Sequence, residues 1–306
     1  MEMHNIKLDW GSILENHIEW LEELYDSDQI RSSYEAIIPL LIENKIPSRV
    51  IVTGGKVIAY AFYIKGNEDE RIYSTMGFLS TKIDEGKISF LVDWLIDESR
   101  RENKTIIMNG IFNEPINFME LITKKDFNVI NRIRMELELT DNVMSDYVLN
   151  DKIEFKNIHS SNLEETCDLI YDSFRGLPER ILLPAGDNRS KLLSKSLMDG
   201  TYGKIMGKIS YLVSENNNTI GGVIFTDGST ELKKIPLLLF IFVLSDYRGK
   251  GLSEEILARA IFELKKSGIK EVQLWVDRNN FAYNIYKKSG FKECENEKTP
   301  IYFFTP

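Results

Sequence analysis

The order of structural signals runs through this chain twice, and that repetition limits the architectures open to it more than any other feature. Between residues 11 and 45 apolar side chains fall at helical spacing: Ile13, Leu14, Ile18, Leu21 and Leu24, then Tyr34, Ile37, Ile38, Leu41 and Ile42. This predicts two amphipathic helices. β-Rich runs follow at residues 49–52, 57–64 and 71–78, divided by Gly-Gly, Gly-Asn and charged turns. A helix over 87–101, a strand over 105–108, a helix over 115–125 and a strand over 132–139 complete the order ααβββαβαβ. The second half restates it. It opens with a strand over 152–155 and a helix over 161–174 that Ser161 and Asn162 are placed to cap. A helix over 190–198 leads to strands over 209–214, 219–226 and 236–244. A helix over 252–266, a strand over 271–276, a helix over 281–288 and a strand over 300–304 follow.

The two halves keep one register. Gly86 stands 21 residues before Ile107, and Gly251 stands 21 before Val272. Lys124-Lys125-Asp126-Phe127 likewise echoes Lys287-Lys288-Ser289-Gly290-Phe291, each ahead of a final strand. The expected division is a first domain over 1–143, a polar linker over 144–151 and a second domain over 152–306. A chain of 306 residues is long enough for two cores of ordinary domain size.

Charge narrows the partners. With 47 acidic and 38 basic side chains the net charge is −9, which disfavours nucleic acid and mildly favours cationic substrates. The apolar run over 235–244 is about half of the ~20 residues a membrane-spanning helix needs, so it reads as a buried strand and no membrane role is expected. The N-terminal residues carry neither a basic leader nor a long apolar stretch, and a cytoplasmic protein is expected. Cys167 and Cys294 have no metal-ligand spacing; no metal is expected, and both read as thiols of a reducing compartment.

Residues 243–253, VLSDYRGKGLS, run from a strand through a glycine-bearing turn into a helix. Backbone N–H groups at such a helix start lack intrahelical partners, and Gly249 and Gly251 let an anion approach them closely. Arg248 and Lys250 add positive charge. An ordinary strand-to-helix turn with two glycines is the competing reading. Neither a dinucleotide GxGxxG nor a phosphate-loop GxxxxGK[ST] is present.

A second constellation follows at residues 276–291, VDRNNFAYNIYKKSGF. It resembles the GNAT N-acetyltransferase pattern of Asn, Ala three residues on, Tyr seven residues on and then Gly-Phe. The 248–253 turn resembles that family's [RQ]xxGx[GA] pyrophosphate loop, with Ser253 at a position usually Gly or Ala. The resemblance covers residues 152–306. It implies a mixed α/β (α+β) fold of two GNAT-like domains, each a mostly antiparallel central sheet flanked by helices, with the fourth and fifth strands splayed. It also implies acetyl-CoA as cosubstrate. Its pantetheine arm would lie against the backbone of Ile241, Phe242 and Val243, where a β-bulge would aim one N–H at the thioester oxygen. Its phosphates would meet Arg248, Gly249, Lys250, Gly251, Leu252 and Ser253, with Asn279 or Asn280 and Ala282 nearby. Tyr286 falls where the family places its general acid; a core aromatic is the alternative.

No general base stands out. Glu231, Glu271 and Asp277 lie near expected strand ends, while His4, His17 and His159 lie outside the motifs and read as structural or surface groups. In the first half Ile83 aligns with Arg248, Asp84 and Glu85 meet the glycine position, Ile122 aligns with Tyr286, and Asp126 with Gly290. That half is therefore expected to be a degenerate copy without cofactor loop or acid, as in tandem GNAT proteins. The implied activity is transfer of an acetyl group to a primary amine on a small molecule or peptide. The alternative is a non-catalytic acyl-CoA-binding or partner-binding module.

Overall fold

A computed structural model describes residues 8–23, 27–66, 70–80, 82–140, 153–230 and 233–306. The expected linker at 144–151, Glu231 and His4 lie outside the described residues. The chain forms two compact units, one of residues 1–129 with 300–306 and one of residues 130–299.

The first unit contains helices α1 (Trp10–Glu22) and α2 (Ser27–Ile42), strands β1 (Ser48–Thr53), β2 (Lys56–Lys65) and β3 (Arg71–Phe78), helix α3 (Glu85–Glu102), β4 (Thr105–Asn109) and α4 (Phe118–Thr123). Its sheet runs β1-β2-β3-β4, antiparallel except for the β3/β4 pair, and ends on residues 301–304 of the last strand paired antiparallel to β4. β2 is buried on both faces. Ala59, Ala61 and Tyr63 meet the core under α3 and α4, while Tyr60 and Phe62 meet Trp10, Leu14, Ile18 and Leu41 from the helical layer on the other side. Each fully buried large apolar side chain contributes about 1.5–3 kcal/mol, so both layers are held by the period-2 pattern of one strand.

The second unit takes in β5 (Asn128–Glu138) from residue 130 on, β6 (Ile153–Asn157), α5 (Leu163–Ser173), a 3-10 turn at Pro178–Leu182, α6 (Arg189–Met198), β7 (Tyr211–Glu215) and β8 (Asn218–Thr226). β9 (Leu237–Val243), α7 (Leu252–Lys266), β10 (Glu271–Asp277), α8 (Ala282–Lys288) and the first part of β11 (Lys292–Phe304) complete it. Its sheet order is β6-β7-β8-β9-β10-β5, with β9 and β10 parallel. α7 buries Leu252, Ile256, Leu257, Ala260, Ile261 and Leu264, one stripe at helical spacing, against β9 and β10. The opposite face carries α5 and α6 through Cys167, Ile170, Leu193 and Leu197.

The units differ from the division expected along the chain at 143 and 152. β5, last strand of the first repeat, pairs with β10 over seven residue pairs from Glu271↔Glu138 to Asp277↔Arg132, and the end of β11 pairs with β4. Each repeat thus gives its last strand to the other unit, because an unpaired sheet edge accepts any strand of matching register.

The turns after α4 and α8 share one geometry. After α4, Phe127 N–H bonds to the Ile122 carbonyl at 3.2 Å; after α8, Phe291 N–H bonds to the Tyr286 carbonyl at 3.0 Å. Asp126 and Gly290 hold the left-handed position in the two turns, at φ 63° and 97°. Asn162 precedes α5 without capping it: its Oδ1 accepts the His159 N–H and its Nδ2 donates to the Asn157 carbonyl. Among the described residues no helix is long and apolar enough to cross a membrane.

Candidate active site

β9 and β10 meet at one point and then part. Their register has a single pair, Gln273↔Leu237, reinforced by the Gln273 N–H to the Pro236 carbonyl at 2.9 Å. The fully buried Gln273 side chain ties this apex, accepting from Arg134 Nη1 at 2.9 Å and donating to the Ile235 carbonyl at 3.1 Å. Beyond it, among the described residues, no further β9/β10 pair forms, and Val243 at the end of β9 lines a cavity.

A β-bulge sits beside the apex. Ile224 opposes Phe240 and Phe225 opposes Leu238, which leaves Leu239 as the extra residue. The alternation slips accordingly. Leu238, Ile241 and Val243 pack with the α7 side, whereas Leu239, Phe240 and Phe242 all pack with the α5 side. The bulge expected at 241–243 therefore lies two residues nearer the apex, because the two-sided burial of this strand fixes the phase of its side chains only in the fold.

From Val243 the chain enters a short 3-10 turn, Ser245–Tyr247, and then the glycine turn. Gly249 and Gly251 adopt φ 73° and 80°, and a Cβ placed on either meets no atom within 4 Å. The glycines thus serve backbone conformation and leave open space before the N-terminus of α7. A cavity of about 520 Å³ adjoins this turn; Val243, Tyr247, Arg248, Gly249, Gly251, Leu252, Ser253 and Glu254 line it from one side, and Leu177, Phe281, Asn284, Ile285 and Lys288 from the other. Lys288 adds a cation that the motif reading had not placed.

Arg248 is committed elsewhere than expected. Its Nε donates to the Val243 carbonyl at 3.0 Å, its Nη2 donates to the Ser173 carbonyl, and its guanidinium lies 5.7 Å from the centre of the Phe281 ring. It fastens the end of β9 to the end of α5, leaving its charge beside the turn and its donors on backbone. Lys250 donates to the Asp246 carbonyl at 3.2 Å and lies over the Tyr247 ring.

The adjacent asparagines separate in role. Asn279 is exposed and gives its backbone N–H to Asp277 Oδ1 at 2.7 Å. Asn280 accepts the Ala282 N–H on Oδ1 at 2.9 Å and donates through Nδ2 to Oε1 of Glu179, from the 3-10 turn after α5. Asp277 has both oxygens on backbone N–H groups, of Asn279 and Asn131 at 2.8 Å, which makes it a clamp between strands. Glu271 is exposed at the start of β10.

Tyr286 is 7% exposed, packed in the α7-side core with its ring centre 5.7 Å from that of Phe291. Burial pushes its phenol pKa far above the usual value, and the negative charge of Glu179 pushes it further in the same direction. Tyr286 and Glu179 are therefore electrostatic neighbours. Glu179 is 8% exposed, and its Oε2 has no hydrogen-bond partner among the described groups. Nothing in the sequence marked Glu179, which stands in a turn without periodicity.

The corresponding place in the first unit is closed twice. β3 and β4 pair from Arg71↔Thr105 to Ser74↔Met108, and past β4 the Phe112 N–H reaches the Met76 carbonyl at 3.2 Å while Phe78 N–H reaches the Phe112 carbonyl at 3.0 Å. Among the described residues β3 and β4 thus stay paired where β9 and β10 share a single pair. At the start of α3 the Asp84 carboxylate accepts the Lys87 N–H at 3.0 Å and pairs with the Lys87 ammonium at 2.5 Å. The lysine ammonium first, and then that backbone bond, hold its pKa below the usual carboxylate value. The helix start that is open in the second unit is filled here by the chain's own anion. His17 is a core group, fully buried and 2.5 Å from the Tyr60 hydroxyl.

Residues 191–300 match the family model described as an acetyltransferase (GNAT) domain. The chain is 28% identical over 156 residues to an uncharacterized N-acetyltransferase of Methanocaldococcus jannaschii, a match covering 50% of this chain and 66% of that protein. It is 36% identical over 84 residues to the ribosomal protein bS18-alanine N-acetyltransferase of Haemophilus influenzae, covering 28% of this chain and 55% of that protein. Both matches span just under two thirds of the relative's length or less. In fold the chain is similar to a GCN5-related N-acetyltransferase from Sphaerobacter thermophilus, with a TM-score of 0.56 at 14% identity over 84% of this chain and 80% of that one. Over residues 191–300 the chain thus carries a GNAT acetyltransferase domain match, and its fold is similar to that of a GCN5-related N-acetyltransferase.

Proposed function

We propose that the second unit is an acetyl-CoA-dependent N-acetyltransferase acting on a primary amine, and that the first unit is a copy without a cofactor site. The observation that carries this reading is the pairing of an open β9/β10 edge with a glycine-framed helix start in one unit, where the other has a zipped seam and a capping aspartate. An unpaired strand edge offers N–H and C=O groups in the spacing of an amide chain, which suits a pantetheine arm along Leu239–Val243. The α7 start, with Gly249, Lys250, Gly251, Leu252 and Ser253, suits pyrophosphate, and Lys288 flanks it.

Acetyl-CoA supplies the activated thioester; the chain supplies position and protons. The extra residue of the bulge turns backbone N–H groups near Leu239 out of the ladder, where one can serve the thioester oxygen as charge develops on it. Tyr286 keeps its proton at neutral pH because burial disfavours phenolate, and delivers it to the departing thiolate. Ala282 and Asn280 hold the start of α8, and so the placement of Tyr286. The relative from Haemophilus influenzae is named for acetylating an alanine of a ribosomal protein, which supports a peptide α-amine among the acceptors. Cys167 and Cys294 are not joined in a disulfide, which supports a reducing cytoplasm.

The test is titration with acetyl-CoA followed by thiol release over a panel of primary amines: an alanyl peptide, a polyamine and an aminosugar. Binding once per chain with amine-dependent thiol release is the expected result. Binding without release on any amine favours the non-catalytic module, a reading that the packing of Tyr286 against Phe291 also fits.

A further inference from the structure

We propose that Glu179 is the acceptor-amine residue of this site: its free carboxylate oxygen binds the incoming ammonium and takes its first proton. The inference rests on the acetyltransferase reading and adds the group that reading lacks.

The geometry begins with the 3-10 turn at Pro178–Leu182, which follows Leu177 on the cavity wall and carries Glu179 inward. The side chain is 92% buried by exposure of 8%, and it is fixed rather than free: Oε1 accepts from Asn280 Nδ2, and Asn280 is itself fixed through its Oδ1 to the Ala282 N–H. Oε2 is left with no hydrogen-bond partner among the described groups. A buried carboxylate oxygen in that condition is costly, and a carboxylate held by one oxygen with the other free is a pre-formed receptor for a cation. A purely structural strut would have both oxygens matched, as Asp277 has a few residues from Asn280.

Its neighbours set the direction of the chemistry. Asn280 precedes Phe281, a wall residue of the cavity, and the titratable group coupled to Glu179 is Tyr286 of α8. The proton acceptor and the proton donor each adjoin the cavity wall through a chain neighbour, Glu179 two residues after Leu177 and Tyr286 one residue after Ile285. The balance closes. The substrate ammonium gives one proton to Glu179 and becomes a neutral amine; its nitrogen bonds to the thioester carbon; the carbon–sulfur bond breaks and Tyr286 protonates the thiolate. The new amide nitrogen then returns its excess proton to Tyr286, and Glu179 releases the first proton to solvent. Of the described carboxylates expected near strand ends, Asp277 has a backbone N–H on each oxygen and Glu271 is exposed at the start of β10.

The test has a binding arm and a turnover arm, both on the full chain. With coenzyme A bound, so that no transfer occurs, an alanyl peptide and its N-acetylated form are titrated into wild type and Glu179→Gln. The expected result is tenfold or greater loss for the free amine in the variant and no change for the acetylated peptide; equal binding of the amine by both proteins, or none by wild type, overturns the proposal. In turnover, Glu179→Gln is expected to lower kcat/KM by ~10²–10⁴ at neutral pH, with partial recovery as pH passes the amine's pKa near ~8. Wild-type rate and pH profile in the variant overturn the proton role while leaving the acetyltransferase reading intact. Glu179-dependent amine binding without transfer in wild type removes that reading and leaves the amine site standing. Should Glu179→Gln not fold, Glu179→Asp decides, since it withdraws the carboxylate by one methylene: unchanged kcat/KM and amine affinity overturn the proposal.

Discussion

Gly251 offers the cleanest separation of conformational cost from ligand contact. It holds φ 80° at the N-terminus of α7, and Gly268 holds φ 77° just past the C-terminus of the same helix; a Cβ on either meets nothing within 4 Å. Alanine at a left-handed position costs about 1–2 kcal/mol whichever end of the helix it occupies. In a unit of this size each 1 kcal/mol lowers the melting temperature by roughly 2–4 °C, so both Gly251→Ala and Gly268→Ala are expected to melt about 2–8 °C below wild type. Coenzyme A affinity should divide them. Relief of strain at residue 251 moves the N–H groups of the turn, and each charge-assisted bond lost to a phosphate is worth about 1.5–3 kcal/mol, or roughly ten- to a hundredfold in Kd. Calorimetric titration with coenzyme A beside thermal unfolding reads both quantities. Equal affinity in the two variants, with equal melting losses, refutes the turn as the phosphate site.

Tyr286→Phe is expected to keep its packing on Phe291 and its acetyl-CoA affinity while turnover falls by ~10²–10⁴; wild-type thiol release in single-turnover conditions would make Tyr286 a packing residue. Arg248→Ala leaves the carbonyls of Val243 and Ser173 without their donor, and a stability loss of about 2 kcal/mol by denaturant titration is expected, with a smaller effect on coenzyme A than Gly251→Ala has. His17, whose burial holds its pKa down to about 4 against an unfolded value of 6.5, is neutral in the folded chain and takes up a proton on unfolding below 6.5. Stability of the first unit should therefore fall as pH drops from 6.5 to 4, by about 3 kcal/mol at most, and His17→Gln should flatten that slope; identical slopes in the two proteins contradict the assignment.

Local chemistry was legible in the sequence where it is local in the fold. α7 spans the residues its apolar stripe marks, and the Lys-Lys-Asp-Phe and Lys-Lys-Ser-Gly-Phe turns close with matching backbone bonds. What escaped is set by partners distant in the chain. The exchange of last strands depends on which edge each meets, and β5 reads the same whichever sheet it joins. The bulge at Leu239 leaves no trace in a run of apolar residues that is buried on both faces, because the phase slip changes no residue type. Glu179 is one carboxylate in a chain rich in them, and only the packing of a 3-10 turn against the β10–α8 connection distinguishes it.

The two units show which parts of this frame are separable. The first keeps the sheet order, the helix after its third strand and the turn after α4, so none of these is sufficient for a cofactor site. It differs at two places that bear on a ligand. One is the β3/β4 seam, where backbone groups that would have to receive a ligand are already spent on each other through Phe112; the other is Asp84, whose carboxylate already occupies the start of α3. Either closure alone excludes a chain-like ligand ending in pyrophosphate, since one removes the groove and the other puts a negative charge where phosphate would go. Their effects on binding therefore overlap rather than add: opening the helix start by removing the Asp84 carboxylate leaves the groove shut. The proposed site in the second unit has neither closure: β9 and β10 share one pair, at Gln273, next to the bulge at Leu239, and the glycine turn leaves the start of α7 without a capping side chain.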